Sequence, residues 1–152
     1  MDSRPGLPTP ASSGTQLDAA EVHHWVEHTA ELELAIDAAT ECDVFSDAMS
    51  AVTELLSPDA DAQPTTSRRV CARAADRATL LAAWLEELVF LAESQGFVPV
   101  ALQRLDLQSD RLEATVVGRI GEPPPVVKAV TYHRLSFTSS NDRLKATVVL
   151  DV

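Results

Sequence analysis

Four apolar segments separated by short polar turns fill the C-terminal third of the chain, and they limit the fold more than any other feature. The first two segments, 98–108 and 112–117, flank a turn of only a few residues. The last two, 126–138 and 144–151, flank a second polar turn. Strands that are joined by such short turns pair with each other as antiparallel hairpins. The sequence therefore predicts that most of its β-structure is antiparallel.

Two earlier segments have apolar residues at helical spacing. The first predicted helix covers 43–57, and Pro58 ends it. The second starts after Asp76, which can cap its N-terminus, and stops at Gly96, which can take a left-handed conformation. The apolar stripe of the second helix consists of Leu80, Leu81, Trp84, Leu85, Leu88, Val89 and Leu91.

The remaining segments favour a mixed fold. Residues 30–36 alternate between apolar and polar, which is typical of a half-buried strand, and a short strand is predicted around Val70 and Ala72. Two helices among about six strands indicate an α+β fold. We expect two layers: a largely antiparallel sheet of about six strands and two helices packed on one face.

The chain is predicted to form one domain over residues 21–152. Residues 1–20 are rich in Pro, Gly, Ser and Thr without hydrophobic periodicity, so we expect a disordered N-terminal extension. No signal sequence and no apolar run of membrane-spanning length occurs, which predicts a cytoplasmic protein. In that compartment Cys42 and Cys71 are expected to be buried free thiols.

The charge distribution limits the classes of partner. The formal net charge is −11, and eleven acidic residues but neither Lys nor Arg lie between Glu21 and Asp61. Direct nucleic-acid binding needs clustered Lys and Arg, so strong contact with nucleic acid is not expected. The acidic segment is either a solvated face or a surface that binds a cation or a basic partner.

Three places have candidate site residues, and each also has an ordinary structural explanation. Glu31 starts a strand, where a carboxylate can bind a cation or simply face solvent. Asp151 and Val152 end the last strand and place a side-chain carboxylate beside the α-carboxylate of Val152, an oxygen pair that suits hard cations. Lys128, one of only two lysines, can contact phosphate or lie on a solvent-facing strand.

Three separated motifs resemble the archease family over residues 23–152. They are His-Thr-Ala-Glu at 28–31, Trp-Leu-Glu-Glu-Leu at 84–88 and Val-Val-Lys-Ala-Val-Thr-Tyr-His at 126–133, followed by the terminal strand. Archeases commonly have aspartate at the position of Glu31. The carboxylate of Glu31 is one methylene further from the main chain than that of an aspartate.

The resemblance implies both a fold and a site. It implies the same two-layer form and a divalent cation, Ca²⁺ in the first place and Mg²⁺ or Mn²⁺ otherwise. The implied metal ligands are Glu31, Asp151 and the α-carboxylate of Val152, with Lys128 as a contact to phosphate or partner. His28, Glu86 and Glu87 are possible supporting residues, although the two glutamates can equally be solvent-exposed charges on their helix.

The resemblance also implies a function. Archeases activate RtcB-type RNA ligases, which join RNA ends through a guanylate that GTP transfers to a ligase histidine. This chain is therefore expected to promote guanylylation and multiple turnover of such a ligase in tRNA splicing or RNA repair. No catalytic residues are predicted, because no nucleophile or phosphate-loop motif occurs. The alternatives are a chaperone-like adaptor without metal and an autonomous metal-dependent hydrolase.

Overall fold

The computed structural model describes residues 23–28, 30–57, 61 and 63–152; the N-terminal extension expected over residues 1–20 lies outside them. The α+β prediction is confirmed, since the described part of the chain has seven strands and two helices. The elements in chain order are β1 (His23–His28), β2 (Glu31–Ala38), α1 (Glu41–Leu56), β3 (Thr66–Arg73), α2 (Arg77–Gln95), β4 (Phe97–Leu107), β5 (Arg111–Ile120), β6 (Ala129–Ser140) and β7 (Arg143–Asp151).

The strands divide between two sheets rather than forming one. A four-stranded sheet has the order β1-β2-β7-β6, and a three-stranded sheet has the order β3-β5-β4. All neighbouring strands are antiparallel. Both helices contact both sheets, α1 through β2 and β4 and α2 through β6 and β3. The helices therefore share one core with the two sheets.

Local sequence signals explain where the helices begin and end. The Thr40 side chain accepts a hydrogen bond from the Asp43 N–H and caps α1. Asp76 caps α2 by accepting from the Thr79 N–H at 2.8 Å, and this hydrogen bond lowers the pKa of the Asp76 carboxyl. Gly96 ends α2 in the left-handed conformation, with φ 63°. The predicted cap and stop of α2 are both confirmed.

Helix α2 is the centre of the core. Trp84 is fully buried, and its indole N–H donates to the main-chain oxygen of Phe45 in α1 at 2.9 Å. This hydrogen bond satisfies the one polar atom of the Trp84 side chain and ties the two helices together. The buried residues of α2 are Leu80, Leu81, Ala82, Trp84, Leu85, Leu88, Val89 and Ala92.

The two predicted C-terminal hairpins are present. Strands β4 and β5 form the first hairpin, and their last pair before the turn is Leu107 opposite Leu112. Strands β6 and β7 are joined by Asn141 and Asp142, both with positive φ. Positive φ at both central residues is the pattern of the two-residue turn that matches the twist of paired strands, and Asn and Asp tolerate it well.

One sequence expectation was wrong. Cys42 and Cys71 are free but exposed rather than buried. Cys71 alternates with the buried Val70 and Ala72 on β3 and therefore faces away from the core, while Cys42 lies in the first turn of α1. The structure also has a strand that the sequence did not predict, since β1 pairs with β2 along its whole length.

The described part of the chain contains two helices, α1 and α2. Neither α1 nor α2 combines the length and the apolar character that a helix needs to cross a bilayer.

Candidate functional site

Strand pairing brings the candidate residues into one row at one end of the four-stranded sheet. Glu31 is directly opposite Asp151 in the β2–β7 pair. In the two flanking strands, His28 of β1 is opposite Glu31, and Ala129 of β6 is opposite Asp151. The Cα atoms of directly opposite residues in antiparallel strands lie about 4.5–5.5 Å apart. Glu31 and Asp151 are therefore immediate neighbours in space, although 120 positions separate them in the sequence.

Main-chain hydrogen bonds hold the end of this row in place. The Lys128 N–H donates to the Asp151 main-chain oxygen at 2.7 Å, and the Val152 N–H donates to the Ala30 oxygen at 3.1 Å. Strand β7 is therefore bonded to both of its neighbours up to Val152. Glu31, Lys128 and the Asp151–Val152 segment are therefore neighbours along the main chain.

Glu31 and Asp151 lie on the sheet face opposite the helices. The alternate residues Leu34, Ile36 and Ala38 of β2 are buried in the core, so the odd-numbered residues of β2 face away from it. Directly opposite residues share a face, which places Asp151 beside Glu31 on the outer side. Like charges directly opposite each other destabilise a sheet, so these carboxylates need a counter-charge.

Arg134 supplies part of that counter-charge. Its guanidinium Nη2 lies 3.3 Å from Glu31 Oε1, and its Nε lies 3.3 Å from Glu33 Oε1. Glu33 is two residues after Glu31 and therefore on the same face. Arg134 comes from an irregular part of β6, where pairing with β7 is interrupted between Thr131 and Ser136. The predicted metal-site carboxylate Glu31 thus already has one cationic neighbour within the chain.

The donor set at this end of the sheet fits a hard divalent cation. Two side-chain carboxylates, Glu31 and Asp151, occupy opposite positions, and Val152 follows Asp151 directly in the chain. Both side chains offer oxygen, which Ca²⁺ and Mg²⁺ prefer. Among the described residues no group of three His, Cys, Asp or Glu side chains is placed to bind a metal, so Glu31 and Asp151 supply only part of a ligand set.

The Lys128 side chain belongs to a different surface. Lys128 lies just before β6, beside α2. There it lines a groove of about 420 Å³ between α2 and β6, together with Glu86, Glu87 and the exposed Phe90. We call this surface the α2–β6 groove. It brings together three of the residues that the sequence singled out: Lys128, Glu86 and Glu87.

Tyr132 and His133 lie on opposite sides of β6, as their alternation predicts. The Tyr132 hydroxyl donates to Glu86 Oε1 at 2.9 Å, next to the α2–β6 groove. Burial and the neighbouring Glu86 carboxylate raise the pKa of the Tyr132 phenol, which keeps its proton available for this bond. His133 Nε2 instead lies 3.3 Å from Arg134 Nη1, on the side of Glu31.

Sequence reasoning missed two contributors to these surfaces. Glu33 could have been found, because period-two alternation places it beside Glu31. Arg134 could not, because its position depends on the interruption in β6, for which the sequence gives no signal. The side chain of His28 lies outside the described part of the structure, and only its strand register is known.

Comparison with known proteins gives a consistent family relationship. Residues 23–152 match the sequence model of the Archease protein family (MTH1598/TM1083). Protein archease of Methanosarcina acetivorans is 27% identical over 139 residues, which cover 86% of this chain and 95% of that protein. The three motifs at 28–31, 84–88 and 126–133 lie within the matched region.

Solved structures share the fold. The solution structure of protein 1598 of Methanobacterium thermoautotrophicum is similar with a TM-score of 0.71 and 26% identity, covering 87% of this chain and 99% of that one. A crystal structure from Thermotoga maritima, described as an archease and possible chaperone, is similar with a TM-score of 0.63 and 22% identity. The matched region covers 84% of this chain and 94% of the Thermotoga maritima chain.

Proposed function

Because the chain belongs to the archease family, we propose that it is a non-catalytic protein cofactor that activates an RtcB-type GTP-dependent RNA ligase. It promotes guanylylation of the ligase histidine and thereby allows multiple turnover, in tRNA splicing or RNA repair. Support for the proposal comes from the row of residues at the end of the four-stranded sheet. The motifs at 28–31 and 126–133 and the terminal strand β7 are far apart in sequence but supply neighbouring positions there, with Glu31 opposite Asp151 and the Lys128 N–H bonded to the Asp151 main chain.

The acidic row is the proposed cation site of the cofactor. Glu31, Asp151 and the α-carboxylate of Val152 would hold a divalent cation, with Ca²⁺ first and Mg²⁺ or Mn²⁺ as alternatives. The bound cation would supply positive charge near phosphate groups at the ligase centre. The described residues at this end are held by strand pairing and by the Lys128 and Val152 main-chain bonds. The site is therefore built on rigid elements, as precise ligand placement requires.

The α2–β6 groove is the proposed contact surface for the ligase. Its lining includes the carboxylates of Glu86 and Glu87 and the exposed apolar ring of Phe90. A surface that binds GTP and RNA ends must be basic, so an acidic partner is steered towards it. Lys128 adds one positive charge to the same lining, where it can meet a phosphate or a partner carboxylate.

A chaperone-like adaptor without metal is the second candidate. One observation favours it, since Arg134 already pairs with Glu31 and Glu33 and partly neutralises the acidic face. An adaptor of this kind would increase the amount of soluble, active ligase without changing guanylylation per active molecule. The two candidates therefore differ in a measurable quantity.

The direct test is the guanylylation of the purified ligase from the same organism with radiolabelled GTP. We expect the full chain with Ca²⁺ or Mn²⁺ to increase the rate constant for label transfer to the ligase histidine. The rate constant should be normalised to active ligase, measured as the final labelled fraction. A higher labelled fraction with an unchanged rate constant would support the adaptor instead, and no change in either would contradict both candidates.

The contact surface leads to a mutational prediction. Replacing Phe90 with Ser should weaken ligase binding about tenfold, because it removes a large exposed apolar side chain from the groove. Ile120→Ser is the matched control, since Ile120 is equally exposed but lies at the end of β5 outside the groove. Affinities measured by biolayer interferometry should separate the two variants. Equal affinities for Phe90→Ser, Ile120→Ser and the unchanged chain would place the contact elsewhere.

The third proposed ligand gives another prediction. Adding Gly-Ser after Val152 moves the α-carboxylate away from Glu31 and Asp151, so divalent cation affinity and ligase stimulation should both fall about tenfold. The melting temperature without metal should stay nearly constant, because the Val152 N–H bond to Ala30 remains. A Gly-Ser addition at the N-terminus is the control. Unchanged Ca²⁺ affinity in the C-terminally extended chain would exclude Val152 as a ligand.

A further inference from the structure

An interruption in β6 places Arg134 over the acidic face. Between the pairs Thr131–Val149 and Ser136–Thr147, β6 advances five residues while β7 advances two. Arg134 lies in the extra residues of this bulge and has a φ of 57°. A positive φ is unfavourable for a residue with a side chain and persists only where the surroundings hold it. The contacts of the Arg134 side chain indicate what holds it here.

Arg134 contacts two acidic side chains with different nitrogens. Nη2 contacts Glu31 and Nε contacts Glu33, each at 3.3 Å, while Nη1 lies beside His133. The two carboxylates are only partly exposed, with 32% and 23% of their side-chain surface accessible. The guanidinium thus bridges neighbouring positions of β2 from a strand that is not adjacent to β2 in the sheet. The Arg134 side chain therefore reaches across β7, the strand that contains Asp151.

A second observation explains why a positive charge is favourable at this position. Glu31 faces Asp151 directly, and two carboxylates at opposite positions repel each other. A cation between them relieves that repulsion. The guanidinium at Glu31 supplies one positive charge within the chain, and a divalent cation in the proposed site would supply two. The Arg134 guanidinium and the divalent cation would both contact the Glu31 carboxylate, and the two positive charges repel each other.

We propose that Arg134 is a built-in counter-charge that competes with the divalent cation for Glu31. This inference rests on the proposed cation site. When the site holds no cation, Arg134 neutralises Glu31 and stabilises the sheet end. Cation binding displaces the guanidinium from Glu31, so the affinity for the cation is lower than the carboxylates alone would give. The glutamate side chain of Glu31 has one methylene more than an aspartate, and this provides the reach to turn from one partner to the other.

The experiment compares Ca²⁺ binding to the full chain and to two variants by isothermal titration calorimetry. Arg134→Gln should bind Ca²⁺ about tenfold more tightly, since a coupling of this kind between two sites is typically five-fold or more. Arg143→Gln is the matched control. Arg143 pairs with Asp37 at 2.9 Å at the far end of the same β2–β7 pair, so its loss should leave Ca²⁺ affinity unchanged. Circular dichroism verifies that both variants fold.

A second readout is thermal melting with and without Ca²⁺. Without Ca²⁺, Arg134→Gln should melt slightly below the unchanged chain, and the stabilisation on adding Ca²⁺ should be larger. Equal or weaker Ca²⁺ binding by Arg134→Gln, while the unchanged chain binds Ca²⁺, would overturn the counter-charge inference and leave the cation site standing. No binding of Ca²⁺, Mg²⁺ or Mn²⁺ by either protein would overturn both.

Discussion

Replacing Asp151 with Asn should reduce the stimulation of ligase guanylylation about tenfold or more while leaving the fold intact. Asn keeps the size of Asp but removes the charge, so the proposed site retains Glu31 and the α-carboxylate of Val152 only. Because Asp151 directly faces Glu31, the loss of one of two repelling charges should keep the metal-free melting temperature equal or raise it slightly. Loss of function without loss of stability separates a ligand from a structural residue.

Asp142→Asn is the control for this substitution. Asp142 lies in the turn between β6 and β7, and its positive φ suits Asn as well as Asp. The turn is at the opposite end of β7 from Asp151, so stimulation should be unchanged. Full stimulation by the Asp151→Asn protein would show that the acidic row does not take part in activation.

Replacing Trp84 with Ala should have the largest effect on stability, a loss of about 3–5 kcal/mol. Trp84 is fully buried, and its removal leaves a large cavity and breaks the indole hydrogen bond to the Phe45 main-chain oxygen in α1. For a domain of this size we expect the melting temperature to fall by roughly 10 °C. Differential scanning calorimetry at fixed protein concentration measures the change.

Trp25 provides the comparison for Trp84. It is only partly buried, and its indole N–H contacts the exposed Glu54 at 3.4 Å. Trp25→Ala should therefore lower the free energy of unfolding clearly less than Trp84→Ala. A Trp84→Ala protein that melts within a few degrees of the unchanged chain would mean that the two helices do not depend on this contact.

Much of the fold follows from local signals in the sequence. Asp76 and Gly96 mark both ends of α2, and the polar turn at Asn141 and Asp142 specifies the last hairpin. These features were predictable because each depends on a few neighbouring residues. The hairpin and the alternation of β2 also predict that Glu31 and Asp151 lie at strand ends, which is the basis of the candidate site.

Other features depend on contacts that local patterns do not encode. The division into two sheets is a matter of which strands pair over long sequence distances, as β2 does with β7 and β3 with β5. The exposure of Cys71 follows from the register of β3, whose outer face the sequence did not identify. The placement of Arg134 requires an interruption in β6, and the side chain of Lys128 faces the groove rather than the carboxylates.

The number of RNA ligations per ligase molecule measures activation through the acidic row. The ligase is held far below the concentration of RNA ends, and joined product is counted with and without the full chain. We expect a single round of ligation without the protein, many rounds with it, and a single round with the Asp151→Asn variant. The same number of rounds in all three reactions would show that the protein does not activate the ligase.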